Sequence, residues 1–212
     1  MKNASDFDWD NGFIVYTEDD IKKREYLTNL CFMTIRDTWN NANKAVTFER
    51  VETPCLTPAK FLQSHIDAKF ELLTVGSSYL RPETTAGLYQ VLNGKKLPHC
   101  VWQLGKSFRD ENLGKFRFSN MRFREFYQLE FELSYSEGTK VDYQELAINA
   151  LCNTFNLVSE IPTDLPHYSS KTVDLHKGEL EIIATSTRTD FKNPICEISI
   201  GMDRLASVIF KE

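Results

Sequence analysis

An α+β fold, an antiparallel sheet flanked by helices, is what this sequence of 212 residues predicts, on three observations. Residues 123–135 alternate: Phe123, Tyr127, Leu129, Phe131, Leu133 and Tyr135 share one face, while Arg124, Phe126, Gln128, Glu130 and Glu132 share the other. A strand with one apolar and one polar face belongs in an antiparallel sheet rather than a doubly wound parallel one, whose strands are apolar on both faces. Helical periodicity recurs early and in mid-chain. The order helix, strand, hairpin, strands, helix, strands, helix lacks the regular β–α alternation of a parallel fold.

The elements follow in order. Residues 12–16, Gly-Phe-Ile-Val-Tyr, read as a short entry strand. Thr17 caps a helix running to about Asn40, with Asp20 three residues on completing a capping box. Ile21, Leu27, Leu30, Cys31, Ile35 and Trp39 mark its apolar face. Residues 46–53 read as a strand, and Pro54 and Pro58 disfavour a central strand position beyond it. Residues 70–80 form a hairpin turning at Gly76-Ser77, and 84–92 a short helix. Residues 98–108 form a strand, followed by a polar, basic loop at 111–121 and the alternating strand. A second long helix covers 141–155 with Val141, Leu146, Ala150 and Leu151 toward the core. Strands at 178–187 and 195–200 follow, and Gly201 opens a terminal helix to about Phe210. No repeat or low-complexity linker interrupts the pattern, so one domain over 1–212 is expected.

Composition excludes several classes. Apolar residues make up 42% of the chain, with 15 Phe, 8 Tyr and 3 Trp, enough for a sizeable core and too many for a disordered chain. A net charge of −5 argues against a surface coated for nucleic acid, while leaving room for a local basic patch. The five Cys form no CxxC pair and there are four His, which argues against a dense zinc site and for reduced thiols in a cytoplasmic protein. No apolar run suggests a membrane span, and the polar, acidic start is unlike a secretory signal.

Three clusters carry candidate chemistry. The first is Phe108-Arg109-Asp110-Glu111, then the loop, then Arg122, Arg124 and Phe126. Arg109 can hold a phosphate through its planar donor fork, and Phe126 can stack on a purine. The plainer alternative is a surface hairpin, but a large ring among the charges of one strand face suits a solvent face poorly. The second is Glu179 and Glu181, two apart and so on one strand face, a pair able to hold magnesium against nucleotide phosphates or simply a solvent-facing edge. Glu197 and Ser199 repeat that spacing. In the third, Glu197 through Arg204, a strand ends at Gly201 and a helix begins. Arg204 in its first turn is misplaced for the helix dipole unless an anion arrives; the alternative is a surface Arg paired with an acid.

The order of these segments resembles the class II aminoacyl-tRNA synthetases. Phe108-Arg109-Asp110-Glu111 is similar to the family's motif 2, Gly201 to Arg204 and the helix behind it to motif 3, and Val51-Glu52-Thr53-Pro54 to the end of the dimer-forming motif 1. Within that class, Leu80 to Gly87, Gln103 to Glu111, Arg122 to Glu130, Gly178 to Glu181, Thr187 to Phe191 and Glu197 to Ser199 resemble the dimeric glycyl-tRNA synthetases. The resemblance implies ATP-dependent activation of glycine with magnesium, transfer to a tRNA or tRNA-like acceptor end, and a homodimer. It implies that Arg109 and Arg204 grip ATP phosphates, that Arg124 belongs to the same nucleotide site, that Phe126 stacks on adenine, and that Glu111 meets the adenine end or the incoming tRNA end. Glu83, Glu130, Arg188, Glu197 and Ser199 would form the glycine pocket, the carboxylates answering the ammonium and Arg188 the carboxylate. The sequence departs from the family in the short spacing of eight residues between Arg188 and Glu197, in His176-Lys177-Gly178 where the family has Gly-Trp-Gly, and in ending eight residues after Arg204 without a counterpart of the anticodon-binding domain. Two further readings stay open: activation for a non-tRNA acceptor, and a non-catalytic nucleotide- or RNA-binding regulatory module.

Overall fold

The computed structural model describes residues 14–59, 72–110, 121–162 and 166–210. Glu111, the basic loop at 111–120 and the start of the entry segment lie outside the described residues. Helix α1 spans Glu18–Ala42, and its start is the expected capping box: the Asp20 N–H donates to Thr17 Oγ1 (3.3 Å) and the Thr17 N–H donates to Asp20 Oδ2 (2.8 Å). Leu27, Cys31, Ile35 and Trp39, four apart, are all buried. Ile21, expected on that face, is 39% exposed. Six positions before Leu27, at 3.6 residues per turn, carry it roughly 120° round the helix. Arg24 occupies the buried end of the stripe instead.

Strand β1 (Thr47–Arg50) is shorter than expected, because the chain turns away toward Pro54. Strands β2 (Leu56–Pro58), β3 (Thr74–Val75) and β4 (Ser78–Leu80) form a small sheet in the order β2-β4-β3. Pro58, which lacks an N–H to donate, therefore sits on an edge strand. Gly76 turns the β3–β4 hairpin at φ +59°, a conformation that favours glycine. Helix α2 (Thr85–Leu92) leads to β5 (His99–Phe108) and β6 (Glu125–Ser134), then α3 (Tyr143–Phe155), β7 (Val158–Glu160), β8 (Ser169–Lys177), β9 (Leu180–Arg188), β10 (Ile195–Gly201) and α4 (Met202–Ile209). The main sheet is seven-stranded, ordered β1-β5-β6-β10-β9-β8-β7. Each adjacent pair is antiparallel except β1 with β5, which is parallel. The predicted α+β class is thus found, with one parallel edge.

Helices α1 and α3 cover one face of the sheet over Cys100, Trp102, Leu129, Phe131, Leu133 and Ile198. The α3 face differs from the expected one. Tyr143, Ala147, Ile148, Leu151 and Phe155 are buried, while Leu146 and Ala150 are only half-buried. Tyr143 fixes the rotation, since its carbonyl accepts from Trp39 Nε1 (2.9 Å) and its hydroxyl from Asn43 Nδ2 (3.0 Å). Helix α2 packs on the opposite face, burying Leu88, Tyr89 and Leu92 against Val101 and Ile195. No described helix is long and apolar enough to cross a membrane.

Candidate active site

The face under α2 carries the polar half of the alternation seen in the sequence. The strand register sets Glu132, Glu130 and Gln128 of β6 opposite Glu197, Ser199 and Gly201 of β10. Ser186 and Ala184 of β9 lie beyond Glu197 and Ser199, and Gly105 of β5 lies beside Gln128. Small residues along this row leave a hollow of about 220 Å³. Its lining runs from Arg109, Phe126, Glu181 and Arg204 at one end to Glu83, Glu197 and Ser199 at the other.

At the first end, where Arg122 also lines the hollow, Arg109 and Arg204 bond to backbone. Arg109 Nε donates to the Pro82 carbonyl (3.2 Å), and its guanidinium stands 5.2 Å from the Phe126 ring centre. Arg204, in the first turn of α4, donates from Nη1 to the Glu181 carbonyl (2.9 Å). A bond to a neutral carbonyl orients a guanidinium and leaves its formal charge in place. Arg124 pairs with Asp110 (3.3 Å) and is not part of the lining. Glu181 lines the hollow, but Glu179 sits in the β8–β9 turn and does not. The reading of the two as one strand face is thereby corrected: Gly178, at φ +62°, begins the turn, and the strand restarts only at Leu180.

Sequence reasoning missed Asp203. It is buried, and its carboxylate accepts the Tyr127 N–H (3.0 Å), joining the start of α4 to β6 beside Phe126. Burial, against the opposing effect of that bond, pushes its carboxyl up to about 6. The Arg24 guanidinium of α1 lies 3.7 Å from the Tyr127 ring centre, so α1 backs the same corner.

At the second end nearly every polar group is committed to another. Glu130 is fully buried; one oxygen accepts from Thr84 Oγ1 (2.7 Å) and Thr85 Oγ1 (2.6 Å), the other from Ser199 Oγ (3.1 Å). Ser199 Oγ in turn accepts from Gln128 Nε2 (3.2 Å). Glu130 therefore lies beneath the hollow and presents Ser199 to it. Glu197 accepts from the Tyr89 hydroxyl and from Ser186 Oγ (3.4 Å), with Arg188 Nη1 at 3.6 Å. Arg188, 1% exposed, does not line the hollow. Asp190 takes its Nε (3.1 Å) and Nη2 (2.8 Å), the Tyr89 hydroxyl takes Nη1 (2.8 Å), and the Tyr168 ring covers it at 3.9 Å. Glu83 faces the hollow, its carboxyl pushed up to about 8 by burial and then by the negative charge of Glu130 and Glu197. Tyr89 and Asp203 carried no sequence signal, since their partners lie 108 and 76 positions away.

No family model matches this chain. It is similar to the glycine–tRNA ligase of Alkaliphilus oremlandii, 30% identical over 230 residues, covering 82% of this chain and 48% of that protein. It is also similar to the glycine–tRNA ligases of Acetivibrio thermocellus (34% identical; 53% of this chain, 28% of that one) and Mycoplasmopsis synoviae (31%; 63% and 39%). The chain thus spans from about a quarter to half the length of these curated relatives. Two solved structures of pyrrolysyl-tRNA synthetase from Desulfitobacterium hafniense superpose with TM-scores of 0.60 and 0.62, covering 85% and 89% of this chain and 68% and 74% of those, at 17% identity. The chain has a class II aminoacyl-tRNA-synthetase-like catalytic fold, similar in sequence to the glycine–tRNA ligases and in fold to the pyrrolysyl-tRNA synthetases.

Proposed function

We propose that this chain, with its class II synthetase-like fold, joins ATP and glycine as glycyl-adenylate and passes the glycyl group to a hydroxyl at the end of a tRNA or tRNA-like acceptor. One observation carries the reading: one hollow is lined both by Arg109, Arg122 and Arg204 with the Phe126 ring and by the carboxyls of Glu83 and Glu197. An anionic nucleotide and a cationic amine fit those ends in one orientation. The similarity to glycine–tRNA ligases supports glycine as the amino acid.

In this reading the glycine carboxylate attacks the α-phosphate and pyrophosphate leaves. No protein nucleophile is needed; alignment and charge stabilisation lower the barrier. Arg109 and Arg204 stabilise the phosphates and Phe126 stacks on the base. Glu197 and Glu83 answer the ammonium, while Ser199, presented by Glu130, closes the pocket. Arg188 acts by fixing Glu197 and Tyr168 rather than by meeting the substrate. Glu181 fits one ligand of a magnesium ion, which typically keeps one or two protein carboxylates and completes its shell with phosphate and water; bound there, it would neutralise phosphate charge. The resemblance of Val51–Pro54 to the dimer-forming motif supports a homodimer, and the reduced cysteines a cytoplasmic setting. Pyrophosphate exchange into ATP, measured with glycine, alanine and serine, tests the proposal. Glycine should lead both competitors; equal or faster exchange with either removes the glycine assignment.

A further inference from the structure

One buried acid takes no part in the mechanism above. Glu132 is fully buried on the same face of β6 as Glu130, and no described protein group donates to either of its oxygens. Its register partners are Glu197 on β10 and Val101 on β5. Directly opposed residues of antiparallel strands stand roughly 5 Å apart at Cβ, so Glu132 is the immediate neighbour of a carboxylate on the pocket wall. The charged or titratable groups that act on it are Glu130 on its own strand, Glu197 and Cys196 on β10, Cys100 on β5, Glu83 before α2, Tyr89 on α2 and Arg188 on β9. The one cation among them, Arg188, is held by Asp190 and the Tyr89 hydroxyl.

We propose that Glu132 holds a proton while the pocket is empty and releases it to solvent when a ligand ammonium docks against Glu197, so that amine capture and deprotonation of Glu132 are one linked event. Glu132 is then a positioning residue, setting how much negative charge faces the amine. A buried carboxylate with no donor and three acidic neighbours is far costlier than its neutral form. Burial first, then Glu197 and Glu130, hold its proton affinity well above that of an ordinary glutamate, with Arg188 opposing. An ammonium against Glu197 cancels the nearest repulsion and supplies an attraction, and both favour loss of the proton. The bond lost is O–H of Glu132, the proton passes to buffer, and the ligand amine keeps its own three.

The inference rests on the glycine reading, and its test separates the two. Infrared difference spectra of the empty protein at neutral pH should carry a protonated-carboxyl component that is missing in Glu132→Gln and retained in Glu83→Gln. Saturating glycine should remove it. Calorimetry of glycine binding in buffers of differing ionisation enthalpy should count about one proton fewer released in Glu132→Gln than in the native protein, and the native apparent affinity should rise about tenfold per pH unit while Glu132 is protonated. If Glu132→Gln does not fold, the native protein and Glu83→Gln decide: the carboxyl component must be present in both without glycine and be lost from each once calorimetry registers bound glycine. Absence of the component in the empty protein, or its persistence while calorimetry registers bound glycine, overturns the inference alone. Absence of any glycine binding overturns both the inference and the functional reading beneath it.

Discussion

The two ends of the hollow are built on opposite principles. Arg109, Phe126 and Arg204 are half-buried; Arg109 and Arg204 each donate to a backbone carbonyl, and the Arg109 guanidinium stands 5.2 Å from the Phe126 ring centre. Glu130, Glu197 and Arg188 are locked into a mesh in which almost every donor has an acceptor. The first arrangement ties few other parts of the fold to these side chains. The second places this wall of the hollow inside the folding core, so that its side chains also tie α2 to β6, β9 and β10. Substitutions at the first end should therefore alter chemistry with the fold intact, and those at the second should alter both.

The sharpest contrast is Arg188→Ala, which takes the guanidinium away from Glu197 and removes one partner of Asp190. Loss of one partner from a buried ion pair costs about 3–5 kcal/mol. Urea denaturation should show that loss, and an unchanged midpoint would break the comparison. Arg109→Ala and Arg204→Ala should do the reverse. Glycine-dependent exchange should fall roughly 100- to 1,000-fold, as when a charge-stabilising donor is removed, while stability stays within about 0.5 kcal/mol. Gly105→Ala probes the mesh from below: a β-carbon there would lie 2.5 Å from Arg81 Nη2 and 2.9 Å from Thr84 Cγ2. The overpacking should cost about 1–3 kcal/mol and weaken glycine more than ATP, since Thr84 is a partner of Glu130.

The pH dependence sharpens the contrast further. Asp203 and Glu83 hold protons in the folded chain up to about 6 and about 8, against 3.8 and 4.5 as ordinary carboxyls. Between those limits the folded state binds more protons than the unfolded one, so their contribution to stability falls as pH rises and is flat above about 8. Denaturation midpoints across this range should show a smaller decline in Glu83→Gln, with the difference building up from about 4.5 to about 8. A native-minus-variant difference that rises with pH would contradict the burial of Glu83. The smallest effect is expected of Phe126→Ala, which should weaken ATP by about 0.5–1.5 kcal/mol through lost stacking, read by calorimetry.

The legible parts of the fold were those specified by near neighbours. The Thr17–Asp20 box spans three residues, and the β6 alternation is visible because its two faces meet such different surroundings. Strand β8 escaped notice, since Ser169-Ser170-Lys171-Thr172 opens it with polar residues whose partners are Thr187 and Gln144 on other elements. The α3 face was misjudged because Tyr143 is turned inward by Trp39 and Asn43, 104 and 100 positions away. In the site, Arg109, Phe126, Glu197 and Arg204 were found as segments, and the structure gathers them on one hollow. Arg188 was found as a residue but its surroundings were not: Tyr89 reaches it from 99 positions away. The placing of Glu179 on the strand with Glu181 differs for a local reason: Gly178 and Glu179 form the turn, and the strand begins two residues later than the alternation suggests, at Leu180.

The hydroxyls of Thr84 and Thr85 both end on one oxygen of Glu130. The first turn of α2 is thus moored to the middle of the sheet at a single point, while its far end rests on Leu88, Tyr89 and Leu92. A helix of eight residues has little cohesion of its own. Its amides should exchange with deuterium together, at a rate set by how often that mooring opens. Occupancy of the pocket would then be recorded as slowed exchange in α2 even by ligands that touch only the sheet.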